Sequence, residues 1–133
     1  MQRDFETLPF EKKMTFFVQN RNFAGAVALV RTLPSLDLDH QFLLARLLFY
    51  GGKGEEGNKV IQGILDQNPG SCETLNNTGF FYLYNLIRVG TAVGYFDQSL
   101  ALNPSQPDIV VLVGYLKRNY LEKIKGVWTE GPH

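Results

Sequence analysis

A chain of 133 residues is long enough for one domain with a buried core. Thirteen Lys and Arg residues balance thirteen Asp and Glu residues, so no overall field draws the chain to nucleic acid or to an anionic membrane. The lone cysteine, Cys72, rules out an internal disulfide and fits a reducing compartment.

Residues 1–7 read as a polar lead-in, with Arg3, Asp4 and Glu6 ahead of any apolar run, unlike a signal peptide. No stretch reaches the roughly 18 apolar residues that span a bilayer. The expectation is a soluble cytoplasmic protein with no membrane insertion.

Thr7 is placed to cap a first helix, with Pro9 early in it, where a missing N–H costs nothing. Phe10, Met14, Phe17 and Val18 then follow the spacing of one buried face. After the polar turn at 19–22, a second helix carries Phe23, Ala26, Val27, Val30 and Leu33 until Pro34 stops it. Asp37 or Asp39 caps a third, whose body is 42–50. Glycines at 51, 52 and 54 break the chain before a fourth helix with Val60, Ile61, Ile64 and Leu65, which ends at Asn68-Pro69-Gly70. Ser71 caps a fifth, containing Leu75, Gly79 and the aromatic run 80–84. A sixth carries Ala92, Phe96, Ser99 and Leu100 to Asn103-Pro104. Residues 105–108 open a longer last helix. Its stripe is Ile109, Leu112, Val113, Leu116, Tyr120, Ile124 and Trp128, and Lys117, Arg118, Glu122, Lys123 and Lys125 form its charged face. No long alternating run predicts a strand, so seven helices joined by short turns point to an all-α antiparallel array.

Within this pattern lies a repeat. Residues 57–69 reappear in outline as 92–104, an offset of 35 residues fixed by Gly57/Ala92 and Pro69/Pro104. Each copy starts on a small residue, continues with apolar residues at helical spacing and ends in Asn-Pro. That period signals stacked helical hairpins, a type of scaffold that binds other proteins.

The chain resembles the tetratricopeptide repeat family, whose helix–turn–helix unit is about 34 residues long. In one unit Leu44, Ala45 and Leu48 match helix A, and Gly57, Ile61, Ile64 and Pro69 match helix B. In the next, Leu75, Thr78 and Gly79 match helix A, and Ala92, Phe96, Ser99 and Pro104 match helix B. The two series of that unit are one residue out of phase, which implies a shortened turn near Val89-Gly90. A weaker first unit offers Phe10, Met14, Phe17, Phe23, Ala26, Val30 and Leu33. Small residues at Ala26, Gly57 and Ala92 admit a close helix approach, and Val30, Ile61 and Phe96 fill the space one turn later. The resemblance implies a single domain: a short right-handed α-solenoid with lead-in 1–7, repeats 8–34, 37–70 and 71–104, a capping helix 105–128 and a tail 129–133.

Nothing in the residues builds a catalytic centre. His40 and His133 have no partner series for a metal or a triad, and Cys72 reads as an incidental thiol. The stretch 52–57 has the glycines of a phosphate loop but lacks the Gly-Lys-Ser/Thr ending, follows a helix and carries Glu55 and Glu56. Asn76-Asn77-Thr78 fits a glycosylation pattern but sits inside a predicted helix. The basic residues of the last helix are most simply its solvated face. The expectation is a non-enzyme with no cofactor and no metal.

The surplus aromatics are a stronger signal, because a helix apolar all round must be buried throughout or touch something else. In the family, helix-A surfaces line a concave groove. The resemblance then assigns Phe42, Arg46, Phe49 and Tyr50 to that groove, with Asn76, Asn77, Phe80 and Tyr84 from the next unit, and Tyr115 and Arg118 extending the wall. Tyr and Arg are favoured interface anchors, and Asn amides can hold an extended backbone. The alternative is that these rings thicken the core. Some family members grip acidic chaperone tails with a Lys/Asn/Arg clamp, but here Glu11, Thr15, Leu43, Glu73 and Asn77 occupy the clamp positions. The expected function is therefore a protein-protein interaction module for a more apolar peptide or helix of another protein. A structural subunit, a homo-oligomer formed through apolar surface, is the second expectation.

Overall fold

Capping chemistry sets the helix ends. In the computed structural model, which describes residues 5–122, Asp37 Oδ1 accepts the His40 N–H at 2.8 Å. Ser71 Oγ accepts the Thr74 N–H at 3.1 Å, and Asn22 Oδ1 accepts that of Gly25 at 2.9 Å. Each bond satisfies a donor that the first helical turn leaves without a partner. Seven helices result among the described residues: α1 (Phe10–Gln19), α2 (Phe23–Val30), α3 (Leu38–Tyr50), α4 (Gly54–Gln67), α5 (Cys72–Asn85), α6 (Val89–Leu102) and α7 (Pro107–Leu116). A π-helical turn, Lys117–Leu121, continues α7. No strand occurs among these residues, and successive helices pack as antiparallel pairs.

The chain forms two compact units that divide between Asp66 and Gln67. In the first, α2 packs against both α1 and α3. Its core is Met14, Ala26, Val27, Val30, Leu44, Leu47 and Leu48, with Val60 of α4 packed against it. Gly57 admits α4 to α3: a methyl group added there would sit 2.8 Å from the Phe49 ring and 3.3 Å from the Ala45 carbonyl. Gly52, at φ +80°, makes the left-handed turn between α3 and α4 that other residues adopt only under strain.

In the second unit α6 is central, packing against α5, α7 and the π turn. Phe96, fully buried, lies over Gly79 so closely that an added methyl would come within 2.6 Å of its ring. Burying such a side chain stabilises by about 1.5–3 kcal/mol. The small positions Ala26, Gly57 and Ala92 and the filling positions Val30, Ile61 and Phe96 are all buried, as the sequence pattern requires.

Three boundaries and one stripe position differ from the sequence expectation, each for a local reason. Helix α1 begins at Phe10, and Pro9 rather than Thr7 is its cap residue; the Pro9 carbonyl accepts from Lys12 and Lys13 at 3.1 Å each. Helix α2 ends at Val30, not Leu33. Pro34 has no N–H to reach the Val30 carbonyl, so Leu33 N–H takes it at 3.1 Å, and the Thr32 hydroxyl donates to the Leu29 carbonyl at 2.6 Å. The short turn between α5 and α6 lies at 86–88, just before Val89, with Ile87 at φ +54°. Finally, Tyr120 is not on the buried stripe. The π turn holds an extra residue, with Glu122 N–H bonding the Lys117 carbonyl. The inward position one turn after buried Leu116 therefore falls to half-buried Leu121, and Tyr120 faces solvent.

Residues 1–4 of the lead-in lie outside the described residues. So do Lys123, Ile124, Lys125 and Trp128 of the predicted capping helix, and the tail 129–133 with His133.

Candidate functional site

Phe42, Arg46, Phe49 and Tyr50 recur at i, i+4, i+7 and i+8 of α3, a spacing that puts them on one side of the helix. Packing in the first unit then separates them. Phe42 and Arg46 are half-buried. Phe49 is half-buried too, but its ring covers Gly57 and lies 3.6 Å from where a methyl at Gly54 would sit, so it packs between α3 and α4. Tyr50 turns the other way. Its ring meets Phe23 of α2 edge-on at 5.8 Å, and it is 45% exposed.

In the second unit, Phe80 and Tyr84 stack nearly parallel, 5.6 Å apart at 7°. Phe80 also meets buried Phe96 edge-on at 5.0 Å, so the stack runs from the core to Tyr84, which is 67% exposed. The hydrophobic base fixes Phe80, and Phe80 gives the exposed Tyr84 ring a rigid support. Asn77 is exposed. Half-buried Asn76 donates from Nδ2 to Gln106 Oε1 at 2.8 Å, and its Oδ1 is buried with no hydrogen-bond partner. Tyr115, 50% exposed, pairs edge-on with Tyr120 at 6.2 Å. The exposed Arg118 guanidinium folds back over Gly114, with Nη1 3.1 Å from where a methyl would sit.

Three features of these surfaces go beyond the sequence expectation. Phe23, at a core position of α2, partners Tyr50, and Tyr120 lies off the stripe that ordinary helical winding predicts. The third is Gln106, the cap residue of α7. Its Nε2 donates to the Asn103 carbonyl at 2.8 Å, the Ser99 hydroxyl at 3.1 Å and the Ser99 carbonyl at 3.2 Å. With Asn76 and Cys72, whose Sγ donates to the Ser99 carbonyl at 3.5 Å, it ties the start of α5, the end of α6 and the start of α7 together. Its place directly before Pro107 was the available signal, since that position begins a helix.

No protein-family profile, curated protein or solved structure matches this chain.

Among the described residues, no group of three or more His, Cys, Asp or Glu could hold a metal ion. His40 sits at the start of α3, with its ring 2.7 Å from Asp37 Oδ1. Bonds from the His40 backbone N–H, and next from its ring, hold the Asp37 carboxyl below its usual range. Burial pushes the Tyr82 and Tyr95 phenols up, and for Tyr82 the neighbouring Tyr95 adds to this. These two rings stack 5.6 Å apart and act as packing. No helix among the described residues is long and apolar enough to cross a membrane.

Proposed function

We propose that this chain is a non-catalytic, cytoplasmic interaction module of tetratricopeptide-like hairpins, which takes a peptide or helix of a partner protein on the aromatic surface of a unit, that of α3 in the first or of α5 and α7 in the second. The observation that carries the reading is the exposure of the Tyr50, Tyr84 and Tyr115 rings on those three helices. A tyrosine offers a large apolar face with few rotatable bonds, which makes it an economical anchor for a partner. Burial of the small and large positions of each hairpin supports the kinship with the repeat family. The Phe80–Tyr84 stack supports the view that at least one anchor is pre-organised.

Tyr50→Ala and Tyr84→Ala, singly and together, test the proposal. Circular dichroism should show an unchanged helical fold, and affinity capture of partners from the native cell should fall, most in the double variant. Undiminished capture by the folded double variant removes these surfaces from the function.

A second reading, a self-associating scaffold subunit, is favoured by adjacent Val110 and Val111 on α7, which are 49% and 70% exposed beside Tyr115. Sedimentation over a wide concentration range separates the two. A monomer at high concentration eliminates self-association, whereas a dimer that Val111→Glu dissolves supports it.

A further inference from the structure

We propose that the turn end of the first unit is a second docking surface, taking a short peptide that carries an apolar side chain between carboxylates. The edge-on Phe23–Tyr50 pair forms its centre. On one side of Phe23 lies a cleft of about 160 Å³, floored by Val27, Leu47 and Leu48 and bordered by Ala28, Arg31 and Lys53. A cavity of about 150 Å³ accepts a benzene ring, so the cleft suits one aromatic or branched aliphatic side chain. On the other side, a more open hollow of about 470 Å³ lies among Val18, Arg21, Phe23 and Tyr50.

The choice of occupant comes from charge. Every charged residue lining either hollow is a cation: Arg21, Arg31 and Lys53. Arg31 meets Glu56 at 3.8 Å, and both side chains are half-exposed. Among the described residues, no ion pair holds Arg21 or Lys53. This local surplus stands in a chain of zero formal net charge. An apolar cleft with Lys53 on its rim, Arg21 in the adjoining hollow and Arg31 only loosely held by Glu56 complements an apolar side chain flanked by acids. The ring or aliphatic group fills the cleft and excludes water, while the carboxylates meet the rim and steer the approach. The surface shares only Tyr50 with the one proposed above, so changes at Arg21, Ala28 and Lys53 probe it alone.

The test uses the full chain and fluorescently labelled peptides of about nine residues. One pool has a central Leu, Phe or Trp between Asp and Glu residues; two control pools replace the acids with Lys or the central residue with Gly. The acidic–apolar pool should bind saturably and each control at least about tenfold more weakly, with affinity falling as salt rises. Arg21→Glu with Lys53→Glu should lower affinity about tenfold or more, and Ala28→Phe, which fills the cleft without changing charge, should do likewise. All three positions are exposed, so melting curves should stay near wild type. Tyr84→Ala should leave this binding intact, which separates the result from the tyrosine-face test. The proposal is overturned if no peptide in the pool binds, if the Lys pool binds equally, or if the folded variants bind like wild type. A single-stranded oligonucleotide that binds more tightly than the peptides, and loses binding in the Arg21/Lys53 variant, would instead make the patch a nucleic-acid surface.

Discussion

The two units solve the same packing problem with the parts exchanged. In the first, half-buried rings on the leading helix of each pair cover a glycine on the following one: Phe17 over Gly25, and Phe49 over Gly57. In the second, the glycine is on the leading helix α5 and the fully buried Phe96 on the following helix α6. Their interiors differ too. The core cluster of the first unit is apolar throughout, whereas the second buries Thr74, Thr78 and Ser99 and carries the Gln106 network. A half-exposed ring can swing aside, and an apolar cluster tolerates volume-conserving change. A sealed ring and a hydrogen-bond network tolerate little, and they fix one register. The second unit is the more tightly specified.

Aromatic truncation probes the difference most strongly. Phe96→Ala should cost about 3–5 kcal/mol in urea denaturation, and Phe49→Ala less than that, since part of the Phe49 ring already faces water. Equal costs would mean that the exposure of Phe49 gives it no freedom. Adding a methyl group comes next. Gly79→Ala should destabilise by about 1–3 kcal/mol, because Phe96 has nowhere to go. Gly57→Ala should stay within about 1 kcal/mol of wild type, as yielding of Phe49 and better helix propensity offset the contact. If Gly79→Ala proves neutral, the sealed-ring account fails.

The polar network gives the next effect. Gln106→Leu keeps the volume but strands Asn76 Nδ2 and leaves the Ser99 hydroxyl only its 3.4 Å bond to the Cys72 carbonyl, a loss of about 1–3 kcal/mol by thermal or urea melts. A gain is expected at Ile87, 73% exposed with φ +54°. Ile87→Gly should stabilise by up to about 1 kcal/mol, because a β-branched residue is strained there and its side chain packs little. The smallest effect lies in alkali. The Tyr82 and Tyr95 phenols are raised in the fold, so it favours their protonated form. Their contribution is complete below the ordinary phenol value of about 10 and is lost as pH rises through the raised values. Melting temperatures above about pH 10 should therefore fall, less steeply in Tyr95→Phe.

Local chemistry made much of the fold legible. Asp37, Ser71, Gly52 and Gly70 mark turns through caps and left-handed backbone, which depend on one or two residues. The small and large positions Gly57/Ala92 and Ile61/Phe96 emerge from the 35-residue period, whereas Ala26 and Val30 follow only from the family resemblance. What stayed hidden depends on distant partners. Gln106 acts through Ser99 and Asn76, 7 and 30 residues away, and no local pattern records such bonds. The family resemblance sets Phe49 and Tyr50 on one face but cannot reveal that α4 claims one ring and Phe23 the other. Ordinary helical winding puts Tyr120 inward, and no residue pattern announces the π turn that turns it out.

That turn also bears on how the chain can vary in length. Five residues, Lys117–Leu121, form the footprint of one inserted amino acid. Removing Asn119 would return the segment to ordinary winding. Leu121 would then stand four positions after Leu116, and Tyr120 four after Tyr115, a spacing at which helical neighbours still meet. Both the inward leucine and the outward tyrosine pair survive in the shorter chain. The end of α7 is thus a place where a lineage can gain or lose a residue with little change to the core or to the surface it displays.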